Sequence, residues 1–201
     1  MTKFWRLLLL LVVMAPITAF AALSTEEALA ERSLGNPKAP VTLIEYSSMS
    51  CPHCAAFHRE TLAKIKSNYI DTGKVLYVFR EFPLEPRAMA ASIIARCVDP
   101  SRYFAFVDML YGDQASWAKA SDPIKELQLR AQLAGMSESD FKACLDNKQL
   151  FEGIQRRAEA GSKEYSIDST PTFIVNGTKI SGAVPYEQFE AAINEALKAK
   201  Q

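Results

Sequence analysis

The chain has 201 residues with 23 basic and 23 acidic side chains, so its formal charge is zero. That balance leaves no basic surplus to hold nucleic acid and no charge block that would form a solvated tail. The length suits one domain, or one domain carrying a large insertion, and 49% of the residues are apolar, enough for a sizeable core.

Lys3 and Arg6 open the chain with positive charge, Leu7 to Met14 is almost continuously apolar, and Ala19-Phe20-Ala21 offers an A-x-A cleavage site. This is the layout of a secretory signal, expected to be removed as residues 1–21. A spanning helix needs about 20 apolar residues, and Pro16 with Thr18 interrupts the run sooner. The cleavage region holds no cysteine for lipoprotein acylation. Losing Lys3 and Arg6 leaves a net charge of −2 on a soluble exported protein, whose compartment permits disulfides.

Residues 22–39 read as a short helical or loose lead-in with a weak cap at Ser24-Thr25-Glu26-Glu27, ending in the turn material of Gly35–Pro40. Val41–Ser47 reads as a buried strand, Cys51–Asp71 as a helix closed by Asp71-Thr72-Gly73, and Lys74–Phe82 as a second strand. A strand–helix–strand unit implies parallel strands joined by a crossover helix. From Glu85 to about Ser166 the pattern is helical, with helices at Pro86–Val98, Arg102–Gln114, Asp122–Leu133, Glu138–Leu145 and Lys148–Tyr165. Tyr103, Phe104, Phe106 and Tyr111 at helical spacing read as core. Strand character returns at Thr172–Val175. Asn176-Gly177 signals a tight hairpin, Thr178–Ser181 supplies its second strand, and Tyr186–Lys198 is a final amphipathic helix.

The chemistry concentrates at Ser50-Cys51-Pro52-His53-Cys54, between the first strand and its helix. On the first turn of a helix, unpaired N–H groups and the positive end of the dipole favour a negative charge. A thiolate at Cys51 is stabilised there, and the thiolate is the species that attacks disulfides. Pro52 fits the first turn, where its missing N–H had no partner. His53, if protonated, adds a second positive charge beside the sulfur. A zinc site would need about four ligands, but Cys97 and Cys144 are isolated and the remaining histidine, His58, supplies no second close pair. A purely structural disulfide in so short a loop would constrain the unfolded chain little. The stretch reads as a redox-active dithiol.

Cys51-Pro52-His53-Cys54 after a buried strand, a helical insertion, and Thr170-Pro171-Thr172-Phe173 before an Asn-Gly hairpin together resemble the DsbA-type thiol:disulfide oxidoreductases, exported bacterial proteins. The likeness runs from about Pro40 to Leu197. It implies an α/β thioredoxin fold with an inserted all-helical subdomain: a first half over 40–84, the insertion over 85–166 and a second half over 167–201. By that resemblance Cys51 is the exposed nucleophile, Cys54 the deeper resolving partner, and His53 a stabiliser of the Cys51 thiolate. Pro171 matches a cis-proline opposite the dithiol that presents the preceding backbone to substrate, and Thr170 would face Cys51. Glu45 matches a buried acid that assists proton movement at Cys54. His58 departs from the family pattern, which often has an acid at that step, and is expected to be a solvated helix histidine. Four cysteines allow three pairings. Some relatives carry a second, structural disulfide, which here would join Cys97 to Cys144, against two buried free thiols.

The resemblance further implies unfolded exported polypeptides as substrates, a membrane quinone-linked oxidase of the DsbB kind as partner, a periplasmic location, and no metal or organic cofactor. An isomerase or reductase of the same fold is the nearest alternative, since Thr170 is common before that proline in thioredoxin-fold isomerases. Residues 22–39 are too short for the oligomerisation arm isomerases use, which favours a monomer. A copper(I) protein using Cys51 and Cys54 would have suitable soft ligands but no supporting Met or Cys cluster, and a binding-only chaperone would not need both cysteines.

Overall fold

Strand β2 (Val41–Ser47) lies at the centre of a five-stranded mixed sheet of order β1-β3-β2-β4-β5 in a computed structural model that describes residues 23–200. The expected signal and its cleavage site lie outside the described residues. Strand β3 (Val75–Glu81) runs parallel to β2, pairing Val41 with Val75 through to Ser47 with Glu81. Strand β4 (Thr172–Val175) lies antiparallel on the other side of β2, and β5 (Thr178–Ser181) closes the hairpin. Asn176 and Gly177 both take positive φ, 46° and 94°, as the two-residue turn requires.

Residues 22–39 hold more structure than a lead-in. Ser24 caps α1 (Thr25–Leu29) in a reciprocal capping box with Glu27. Strand β1 (Arg32–Leu34) then pairs antiparallel with β3 at the sheet edge. Three residues opening on an arginine carry too little alternation to signal a strand.

Helix α2 (Pro52–Phe57) begins one residue after Cys51 and continues through a π-helical turn at His58–Leu62, a short α3 (Ala63–Ile65) and a second π-helical turn at Lys66–Ile70. The first π turn, a feature often found at functional sites, begins at His58. Between β3 and β4 lie α4 (Pro86–Cys97), a 3-10 turn, α5 (Tyr103–Gly112), α6 (Gln114–Ala118), α7 (Pro123–Leu133), α8 (Glu138–Leu145) and α9 (Lys148–Tyr165), and the last helix is α10 (Tyr186–Lys198). The expected single helix over Arg102–Gln114 breaks at Asp113, and α6 starts there as a separate element.

Alternation along β2 sets what each face of the sheet receives. Leu43, Glu45 and Ser47 share one face, and Thr42, Ile44 and Tyr46 the other. Tyr46 packs with Ile167 and Ile174, and α9 meets its ring at Gly161, where a Cβ would collide with the ring atoms. The larger core fills the opposite face: Phe57 stacks within 4.4 Å of Phe173 and 5.3 Å of Phe189, tying α2, β4 and α10 together.

The insertion is fastened to the sheet by a buried charge pair. Arg96 of α4 donates through Nε and Nη2 to the two carboxylate oxygens of Glu81 at 2.5 and 2.7 Å, with both side chains essentially unexposed. Its Nη1 reaches the Ala28 and Ala30 carbonyls at 3.1 and 2.5 Å, and Tyr103 donates to Glu81 at 2.7 Å. Within the insertion, Cys97 and Cys144 are bonded, their Cα atoms 6.3 Å apart, joining the end of α4 to α8. With a sequence separation of 47, loop entropy limits the gain to about 4 kcal/mol. The double replacement Cys97→Ala, Cys144→Ala is expected to lose about 2–4 kcal/mol in urea unfolding, and an unchanged midpoint would show that the bond carries no stability.

Candidate functional site: a dithiol at a helix N-terminus

Cys51 is the N-cap of α2 (φ −77°, ψ 121°) and Pro52 its first residue. The loop before it is held from two sides. Gln114 of α6, itself buried, donates to the Met49 and Cys51 carbonyls at 2.8 and 3.0 Å. Ser50 donates to Glu85 at 2.6 Å, and Arg87 holds the other Glu85 oxygen at 2.9 Å. The insertion therefore fixes the approach to the dithiol. No sequence signal marked Gln114 or Glu85, because both act across long sequence separations.

The two sulfurs sit in unlike surroundings. Cys51 is half-buried and Cys54 is fully buried, and neither is in a disulfide. A hydrogen bond from the Cys54 side chain, with smaller ones from Thr170 and the backbone N–H groups of His53 and Cys54, outweighs partial burial and brings the Cys51 thiol down to about 5. Burial drives Cys54 the other way, helped by its bond to Cys51 and by the charge of Glu45. One turn of helix thus separates a stable thiolate from a stable thiol. His53 contributes here through its backbone, and its side chain is exposed.

The Thr170–Pro171 peptide is cis and faces the dithiol: Cys51 Sγ donates to the Thr170 carbonyl at 3.3 Å. The Thr170 hydroxyl is buried and bonded to no other group among the described residues, which leaves it for the sulfur. Pro171 is buried beside it.

Glu45 is fully buried beneath Cys54. Ser47 donates to its Oε1 and Tyr77 to its Oε2, each at 2.5 Å, and Tyr111 shares Ser47 at 2.8 Å. His58 completes the group, and the expectation of a solvated histidine is wrong. Its side chain is 2% exposed, with Nε2 3.2 Å from Glu45. Helix α5 covers that face of α2 and lays Tyr111 against the imidazole, 4.4 Å between rings. Burial opposes charge on His58, but the Glu45 charge and contacts with Asp108 and Glu45 prevail and raise it to about 9. Only the alternation of Glu45 and Ser47 along β2 could have signalled this cluster in advance. Among the described residues, no three His, Cys, Asp or Glu side chains gather as a metal site.

The depressed Cys51 value has a consequence for stability. In the unfolded reduced chain the thiol titrates near 9, and in the folded protein near 5. The unfolded state therefore holds more protons between those values, and stability rises with pH there. The gain is complete above about pH 9 and lost as pH falls through about 5. Urea unfolding of reduced and oxidised protein between those limits is expected to show this slope in the reduced form alone. Parallel profiles would contradict it.

A family model described as thioredoxin matches residues 27–195. A relative from Rickettsia typhi, provisionally named a protein-disulfide oxidoreductase, is 32% identical over 82% of this chain, which spans 61% of that relative's length. Disulfide bond formation protein D of Bacillus subtilis is 25% identical over 83% of this chain and 77% of its own. The crystal structure of α-DsbA1 from Wolbachia pipientis superposes with a TM-score of 0.78 at 32% identity, covering 85% of this chain and 92% of that one. With the mixed sheet, the helical insertion and the dithiol in place, the chain belongs to the thioredoxin family and, within it, to the DsbA-type proteins.

Proposed function

We propose that this chain is a periplasmic thiol:disulfide oxidoreductase that introduces disulfide bonds into exported polypeptides by exchange with a Cys51–Cys54 disulfide. The observation that carries the reading is the placement of the two sulfurs, Cys51 half-buried as the N-cap of α2 facing the cis Thr170–Pro171 peptide and Cys54 fully buried. That placement lowers the first thiol to about 5 and raises the second. A substrate thiolate attacks Cys51 Sγ, and the bond to Cys54 breaks with its electron pair leaving on Cys54, which is protonated. A second substrate thiolate then attacks the substrate sulfur of the mixed disulfide. It forms the substrate disulfide and releases Cys51 as a thiolate. Stabilising that leaving thiolate favours giving the disulfide away. The N–H groups of His53 and Cys54 hold the Cys51 charge, with Pro52 opening that first turn and the His53 side chain beside it. Thr170 and Pro171 receive the substrate backbone, and Glu45 serves the Cys54 proton.

The protein works as a monomer, and a membrane quinone-linked oxidase of the DsbB kind restores the disulfide. No described helix is long and apolar enough to cross a membrane, which suits release after loss of residues 1–21. The test is to mix oxidised protein with reduced, unfolded ribonuclease and, separately, reduced protein with scrambled ribonuclease. An oxidase consumes thiols of the first in proportion to the protein added and leaves the second inactive. Reactivation of the scrambled substrate by reduced protein would replace this reading with isomerase activity.

A further inference from the structure

Cys54 is fully buried, yet it must lose a proton each time the disulfide closes and regain one each time it opens. Cys54 has no surface open to solvent, and the polar side chains beside it offer the proton a route outward. Ser47 and Glu45 reach the Cys54 side of the cluster. Glu45 meets His58 Nε2 at 3.2 Å, and the far nitrogen, Nδ1, lies 3.5 Å from Asp108 Oδ1. Nδ1 has no aligned hydrogen bond among the described residues, and the Asp108 side chain is 68% exposed. The groups around the imidazole are Glu45 from β2, Tyr77 from β3, with its hydroxyl 3.4 Å from Nε2, and Asp108 and Tyr111 from α5. Arg59, next along the helix, is turned to the Tyr111 carbonyl. Among the described residues, Asp108 is thus the exposed acid in contact with the buried group.

We infer that His58 and Asp108 form the exit by which the Cys54 proton is exchanged with solvent, an inference that rests on the dithiol reading above. On closure, Cys54 passes its proton to the Ser47 hydroxyl, which gives its own to the Glu45 carboxylate, as the Cys54 sulfur attacks the mixed disulfide at Cys51. The substrate sulfur leaves with the electron pair. His58, an imidazolium hydrogen-bonded to Glu45 through Nε2, releases its Nδ1 proton to Asp108 and thence to water. One proton leaves the thiol and one reaches solvent. The buried pair keeps zero net charge throughout, which avoids the cost of stranding a lone ion. On opening, Glu45 reprotonates Cys54 through Ser47 and Nδ1 is recharged from the Asp108 side. His58 and Asp108 touch neither substrate nor sulfur and act as positioning residues through Glu45.

The test measures the first-order rate of Cys51–Cys54 closure after mixing reduced protein with saturating oxidised glutathione, by acid quench and mass analysis. Wild type, Asp108→Asn and His58→Gln are compared from pH 5 to 9 at low buffer concentration. Asp108→Asn is expected to slow closure by about tenfold, less than the roughly 10²–10⁴-fold of an acid or base acting directly, because Asp108 acts through His58. Added imidazole should restore the rate, while the Cys51 thiolate absorbance titrates as in wild type. A packing defect would not respond to buffer. His58→Gln should slow closure further and flatten its pH profile. If that variant does not fold, the exposed Asp108 carries the test alone. Closure by Asp108→Asn at the wild-type rate, or slowed closure that imidazole does not restore, overturns the inference and leaves the oxidoreductase reading standing. A wild-type protein that forms no Cys51–Cys54 disulfide removes both.

Discussion

Replacing Arg96 by Met is expected to cost about 3–5 kcal/mol of folding stability. The side chain is fully buried and spends its donors on Glu81 and on the carbonyls of Ala28 and Ala30. Its removal strands a carboxylate in the core, and that uncompensated charge, more than the lost attraction, sets the magnitude. Burial alone would raise Glu81. The Arg96 charge and hydrogen bonds, with one from Tyr103, instead hold it below the usual carboxylate range. The stability Glu81 contributes is therefore present above that range and lost as pH falls through its folded value. In Arg96→Met the sign reverses, because burial then raises Glu81 against Tyr103 alone, and the variant regains stability as pH falls and the carboxyl is protonated. Urea midpoints at pH 7 and pH 5 check both statements. A variant within 1 kcal/mol of wild type would mean the core absorbs the charge in some other way. The same hub joins α1, β3, α4 and α5, so the variant should also loosen the insertion that holds the loop before Cys51.

Cys54→Ala is expected to abolish turnover while leaving Cys51 able to form a mixed disulfide, because no resolving sulfur remains. A second effect is less obvious. The hydrogen bond from Cys54 is the largest contribution lowering Cys51. A hydrogen bond to a charged group is worth about 1.5–3 kcal/mol, or about one to two pH units. The Cys51 thiolate absorbance of Cys54→Ala should therefore titrate one to two units above wild type. Thr170→Val, which removes a smaller contribution, should move it less. Equal titration of Cys54→Ala and wild type would assign the thiolate to the helix terminus and Thr170.

The elements and the dithiol were legible because their causes are local. Pro52 at a helix start, the Asn176-Gly177 turn and the apolar run of β2 each act within a few residues, and the structure places them as expected. The cis peptide at Thr170–Pro171 and the Cys97–Cys144 bond came through family resemblance rather than from residue spacing. What stayed hidden depends on distant packing. His58 looked like a surface residue because its neighbours on the helix, Arg59 and Glu60, are charged. It is buried because α5, some fifty residues later, brings Tyr111 over it and Asp108 to its edge. Gln114 reaches the loop before Cys51 across a comparable separation. Strand β1 was missed for the opposite reason, being three residues that become a strand only because β3 offers an edge.

On the proposed reading, the surroundings of Cys51 favour the reduced dithiol and so make the disulfide a ready donor. Equilibrating the mature protein with glutathione buffers of known ratio, and reading the oxidised fraction by thiol alkylation, measures this directly. A potential more oxidising than about −200 mV is expected, with the protein mostly reduced in buffers that oxidise ordinary dithiols. A value near that of thioredoxin, about −270 mV, would contradict it, and the Cys51–Cys54 pair would then be a reductant in need of an electron donor.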